Sequence, residues 1–178
     1  MSWKMVVRIG CGMALLIGVM AAMQGTAEAA GSIDAKAAFE KLKALTGSWN
    51  GTTKEGISVP VSYGIHSNGS VVMETLFRDT DHEMITMYHM VGNDLLATHY
   101  CAIGNQPRFK LDVAKSTPAE LVFAFDGGTS FDPAKDAHIH EGRLSFPADG
   151  KLDGSWSFYA GGERKGSHEF QLTRVETK

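Results

Sequence analysis

The chain has 178 residues, 43% of them hydrophobic, which suffices for one domain with its own core. Its formal net charge is −3 and no basic stripe is visible, which argues against nucleic acid as a partner. The two cysteines, Cys11 and Cys101, lie far apart in the chain, and the first falls within an N-terminal segment with its own character.

That segment opens with Lys4 and Arg8, continues as an apolar run from Cys11 to Met23 broken only by glycines, and ends at Ala27-Glu28-Ala29. A positive start, a short apolar stretch and small residues at the two cleavage-defining positions form the pattern of a secretory signal peptide. The run is short of the roughly 20 apolar residues that a bilayer span needs. The expectation is therefore an exported protein, periplasmic or secreted, with residues 1–29 as signal peptide, residues 30–178 as a single domain, and no membrane span after cleavage. Cleavage leaves 15 Lys/Arg against 19 Asp/Glu, a net charge of −4, and Cys101 as the one cysteine. An intrachain disulfide is then excluded, and the fold must rest on its apolar core.

Asp34 is a helix N-cap candidate, and the spacing predicts a helix over 35–45 with Ala35, Ala38, Phe39, Leu42 and Leu45 on one face and Gly47 as its stop. A helix this short is held by tertiary packing, so it is expected to plug one end of a sheet or barrel. Beyond Gly47 the period changes from helical to two. Ile57, Val59, Val61, Tyr63 and Ile65 alternate with small or polar residues, with Pro60 marking an edge or irregularity. Ser67-Asn68-Gly69 predicts a turn, and Val71, Met73, Thr75 and Phe77 read as the next inward face. Residues 83–91 and 95–103 form a hairpin about Gly92-Asn93-Asp94. Strands follow at Phe109–Val113, Leu121–Phe125 and His138–Phe146. The last two carry Leu152, Gly154, Trp156 and Phe158, then Gly166, His168, Phe170, Leu172 and Arg174, as single faces. Residues 127–137 form the longest expected loop, placed at a cavity mouth. One helix and about ten short strands with regular turns point to an all-β fold. A closed antiparallel barrel is preferred because it leaves no exposed strand edge and gives each strand one apolar face.

The order of helix, Gly47-Ser48-Trp49, antiparallel strands and a terminal Arg174 resembles the calycin superfamily. Two stretches, Phe39–Trp49 and Thr98–Arg108, resemble bacterial lipocalin-like domains of unknown function. The resemblance implies a calycin-like barrel in which Trp49 packs under Arg174, and it implies no particular activity. Stacking of a guanidinium on an indole has its own physical basis. A weaker similarity to nitrobindin-like haem barrels implies a histidine on the last strand as axial haem ligand, and His168 holds the corresponding place.

The densest polar stretch is His99–Arg108. On a strand, His99 and Cys101 share one face and Thr98 and Tyr100 the other. The hydrophobicity is nearly balanced, and the His99 face is taken as inward. With Asn93-Asp94 as the turn, Tyr88 would lie opposite His99. Asn105 and Gln106 carry donors and acceptors that satisfy a loop or meet a ligand, and Arg108 suits a carboxylate. His138, His140 and His168 are expected to point inward with Leu144, Phe146 and Phe170. Inward imidazoles suit hydrogen bonding in a partly polar cavity, a transition metal or haem, although no metal site is specified. Met73, Met84, Met87 and Met90 read as adaptable core or cavity lining.

Four functions follow, the last a structural or interaction protein with a filled barrel. The first is a barrel binding a small hydrophobic or amphipathic ligand, oriented by Tyr88, His99, Asn105, Gln106, Arg108, His138, His140 and His168. The second is a haem protein using His168. The third is an enzyme built on His99 and Cys101, disfavoured because residues two apart on a strand are separated by roughly 6.5–7 Å. Nucleophile elbows, zincin helices, phosphate loops and dinucleotide fingerprints are all missing from the sequence.

Overall fold

The computed structural model describes residues 31–176. The segment read as a signal peptide lies outside the described residues. Among those described, one α-helix is followed by ten strands that close into an antiparallel barrel.

Helix α1 spans Ala35–Lys43. Asp34 caps it, its Oδ1 accepting from the Ala37 N–H at 2.7 Å. The expected face is buried, with Ala35, Ala38, Phe39 and Leu42 turned into the core. The helix ends two residues earlier than its spacing predicts. Leu45 and Thr46 instead donate three residues back, to Leu42 and Lys43, tightening the last turn before the chain leaves at Gly47.

The strands are β1 (Gly47–Thr53), β2 (Val61–His66), β3 (Val71–Leu76), β4 (Met84–Val91), β5 (Asp94–Tyr100), β6 (Gln106–Leu111), β7 (Glu120–Thr129), β8 (His138–Ser145), β9 (Lys151–Ala160) and β10 (Glu163–Arg174). Each pairs with its sequence neighbour, and β1 closes the ring by pairing with both β2 and β10. Both partners hold Trp49, opposite Val61 on one side and Arg174 on the other. Its indole Nε1 donates to the Leu45 carbonyl at 2.8 Å. The Arg174 guanidinium lies 4.4 Å above the indole and donates to the carbonyls of Thr46 and Ala44, both at 2.7 Å. The first strand, the last strand and the helix exit are thereby tied at one point.

Three details differ from the sequence reading. The second strand begins at Val61 rather than Ile57, because Pro60 has no N–H for a ladder and only an isolated bridge, Thr52 to Ser58, precedes it. The inward face of β3 carries Val72, Glu74 and Leu76, the opposite of the face expected from Val71, Met73 and Thr75, and the strand ends before Phe77, whose φ is 52°. A carboxylate argues against a buried position unless partners are known, and both faces of this strand carry apolar residues. Finally, Val91 pairs with Asp94, so the β4–β5 turn is Gly92-Asn93, with Gly92 at φ 58°. The register therefore places Thr86, not Tyr88, opposite His99.

Helix α1 packs against β2, β4 and β5 at the end of the barrel where β1 starts and β10 finishes. Among the described residues, no helix covers the other end, where β5 runs out and β10 begins.

Candidate functional site

At that other end lies a cavity of about 800 Å³, within the range of small-molecule sites. Its floor is made by the buried Leu76, His99, Ile139, Trp156 and Phe170, one from each of five strands. Phe77, Met84, Cys101 and Phe158 extend its walls. Ile57 and Ile103, 57% and 59% exposed, stand at the rim with Lys54, His82 and His168. A buried floor and an exposed rim make this a site that opens to solvent at one end.

The floor depends on shape as well as composition. Gly142 lies opposite Trp156 in the β8–β9 register, and a Cβ there would fall 2.3 Å from the indole ring. The missing side chain lets the indole lie across the strand. It packs 5.5 Å from the Phe109 ring and stacks at 6.1 Å on His99, with 23° between the planes.

Behind the floor runs a buried polar chain. Glu74 is fully buried and accepts from Tyr63 at 2.5 Å and from Tyr88 at 3.1 Å. Thr86 lies directly opposite Glu74 in the β3–β4 register. Burial pushes the Glu74 pKa up, while these hydroxyls hold it down in part. Burial, followed by the neighbouring carboxylate, pushes both tyrosines well above their ordinary range. Thr86 Oγ1 also lies 3.0 Å from His99 Nδ1. Burial lowers His99 to about 4, so its imidazole is neutral at physiological pH.

The contact between Thr86 Oγ1 and His99 Nδ1 occupies one ring nitrogen and leaves Nε2 without a partner. Nε2 is one of four buried side-chain polar atoms without a partner among the described residues; the others are Trp156 Nε1, Asn105 Oδ1 and Ser157 Oγ. Two of the four thus belong to cavity-floor side chains. A buried polar atom left unpaired costs about 1–3 kcal/mol.

The other sequence candidates lie elsewhere. Tyr88 is inward but serves Glu74 behind the floor, and does not line the cavity. Asn105 is buried and donates to the Ala137 carbonyl at 2.7 Å, tying the β5–β6 turn to the β7–β8 loop. Gln106 is spent on Gly104, Thr129 and Ser130. Arg108 is half-exposed and pairs with Asp126, through its carboxylate at 2.9 Å and its carbonyl at 2.8 Å. These three are occupied by the loop and strands around them. The loop following Thr129 also contributes nothing to the cavity walls.

His138 and His140 do not line the cavity either. A bulge between Ile139 and Glu141 shifts the register, so Ile139 takes the cavity position and both histidines enter an aromatic cluster. His140 stacks between Phe125 at 4.4 Å and Tyr159 at 4.1 Å, and Phe131 covers His138 at 4.8 Å. The Asp136 carbonyl can only accept, so His138 donates from Nδ1 and accepts at Nε2 from His140 Nδ1, both at 3.0 Å. Burial, then the neighbouring His138, lowers the His140 pKa.

His168 does border the cavity, but as an exposed rim residue against Phe158. Cys101 borders it too. Its Sγ contacts Met84 Sδ at 4.0 Å and, within the described residues, the one hydrogen bond of the His99 ring goes to Thr86. Among the described residues, no group of three or more His, Cys, Asp or Glu side chains has the arrangement of a metal site.

Sequence reasoning missed Glu74 and Trp156 as site residues. Trp156 was legible as inward from its alternation with Leu152, Gly154 and Phe158. Glu74 gave no such signal, because its partners come from two other strands. No protein-family model matches the chain, and no curated protein matches it in sequence.

Proposed function

We propose that this chain is an exported, calycin-like barrel that binds a small, largely apolar ligand in its end cavity. The observation that carries this reading is the cavity itself, about 800 Å³ with apolar walls, a buried floor and an exposed rim, opposite an end filled by α1. Burying an apolar ligand there gains roughly 25 cal/mol per Å² of surface removed from water. Lys54, His82 and His168 supply polar groups at the rim of an otherwise apolar site, which is the usual composition of a selective pocket. The Cys101 thiol contacts the thioether of Met84, which is no general base. Haem is the competing occupant, since His168 borders the cavity and imidazole is an iron ligand; haem bound through it would sit at the exposed rim.

The test is titration of the purified protein with N-phenyl-1-naphthylamine, an uncharged dye that fluoresces in apolar sites. The expected result is saturable binding at one site, weakened at least tenfold by Ile139→Trp, which fills the cavity from its floor. Absence of dye binding to folded protein would refute the proposal, and a Soret band in the purified protein would replace it with the haem reading.

A further inference from the structure

We propose that His138 and His140 form an acid-sensitive latch on the cavity: when both imidazoles carry an added proton their mutual hydrogen bond breaks, Ile139 between them leaves the cavity floor, and the bound ligand is released. This rests on the ligand-binding reading above and adds a control to that same site.

The latch is built where β8 begins. His138 is fully buried and both of its ring nitrogens are engaged, Nδ1 with the Asp136 carbonyl and Nε2 with His140 Nδ1, each at 3.0 Å. A carbonyl can only accept, so His138 donates from Nδ1, and a neutral His138 then accepts at Nε2 from His140. Phe131 and Phe125 lie 4.8 and 5.3 Å from the His138 ring, and Phe125 and Tyr159 sandwich the His140 ring. Neither ring can turn away without displacing a packed neighbour. The bulge between Ile139 and Glu141 lies at the same place, and the residue between the two histidines, Ile139, is the one β8 gives to the cavity floor. The hydrogen bond between the rings therefore spans the segment that sets the position of Ile139.

Proton count makes this arrangement a switch. One added proton is accommodated, because whichever imidazole is cationic donates across the gap and the other accepts. A second leaves an N–H on each side of the gap, two donors and two positive charges with ring centroids 5.2 Å apart. The charged and titratable groups around the pair leave this conflict in place. On β8, Glu141 is held by Arg143 at 3.1 Å. In the preceding loop, the Asp136 carboxylate accepts from the Asp132 N–H, and Asp132 pairs with Lys135. On β7, Asp126 beside Phe125 pairs with Arg108, and β9 presents the phenol of Tyr159. Burial, then His138, lowers the His140 pKa against the pull of Glu141, which places full protonation of the pair on the acid side of neutral.

The experiment titrates N-phenyl-1-naphthylamine, which stays uncharged throughout, into the purified protein in steps from pH 7.5 to pH 4.5, with circular dichroism reporting the fold. In the folded protein, affinity is expected to fall by about tenfold per pH unit once the second proton binds, the linkage for a ligand and one proton that exclude each other. His140→Phe keeps the aromatic stack and removes the second proton, and is expected to lose this dependence. In the wild-type protein the δ1 methyl resonance of Ile139 should move in step with the ring ¹⁵N resonances of His138 and His140 and not with those of His99, a readout that needs no variant to fold. A constant affinity across the range, a pH dependence that survives His140→Phe, or an Ile139 methyl that stays still or follows His99 would overturn the latch and leave the binding site in place. Absence of dye binding at pH 7.5 would refute the binding reading, and the Ile139 methyl would still decide whether the pair moves that residue.

Discussion

His99 shows how one buried residue ties stability to pH. Its pKa falls from 6.5 to about 4 because the neutral ring is buried. The unfolded chain therefore takes up a proton near pH 6.5 that the folded protein refuses until about pH 4. Stability from this group is complete above the unfolded value and is lost as pH falls between the two, by at most about 3 kcal/mol. Urea unfolding at pH 7 and pH 4.5 should show this loss in the wild type, and a smaller loss in His99→Phe. Glu74 acts in the opposite sense. Its raised pKa means that its burial costs stability at neutral pH and that the cost eases on acidification. Cys101 carries less. It touches the Met84 thioether on the cavity wall, so Cys101→Ser should change dye affinity only a few-fold. Complete loss of function in a folded Cys101→Ser protein would restore the thiol as a nucleophile.

At the scale of elements, two contacts decide whether strands meet correctly. Arg174 joins the end of β10 to the carbonyls that α1 leaves open, and covers Trp49 on β1. Arg174→Gln keeps polarity but loses the charge and the stacking plane. Because the site is partly exposed, the expected loss is about 1–2 kcal/mol in chemical denaturation. Gly142 does the same for the cavity floor, since any side chain there enters the space of the Trp156 ring. Gly142→Val should cost about 1–3 kcal/mol through overpacking, and should also weaken dye binding because the indole must move. Elements were the level at which the sequence spoke most clearly. Period-two alternation located most strands to within a few residues, and Gly-rich turns located their ends. Alternation failed for β3, where both faces carry apolar residues, and for β8, where a one-residue bulge exchanged Ile139 for His138 and His140 at the cavity.

The whole molecule is a barrel with two unlike ends. Helix α1 fills one with Ala38, Phe39 and Leu42, while the other holds the cavity. Stability and binding are therefore separable. Leu42→Ala should cost about 2–5 kcal/mol through the cavity it leaves in a fully buried position. Dye affinity in the remaining folded protein should be unchanged, because Leu42 is at the far end. A matching drop in affinity would show that the two ends are coupled through the barrel.

The sequence by itself determined the all-β class, the single helix with its buried face, the number of strands and most turns. These depend on local periods and on residues such as Gly, Pro and Asp whose backbone preferences act within a few positions. Only the tertiary structure decided which polar residues meet at the cavity floor and behind it. His99, Thr86, Glu74 and Trp156 come from β5, β4, β3 and β9, and their meeting depends on register. A shift of one residue in register sends a side chain to the opposite face of the sheet. The stretch from Asn105 to Arg108 looked functional because it concentrates polar groups, and it proved to be tied to its own turn and neighbouring strands. The unpaired nitrogens of His99 and Trp156 could be found only once every neighbouring donor and acceptor had been placed in space.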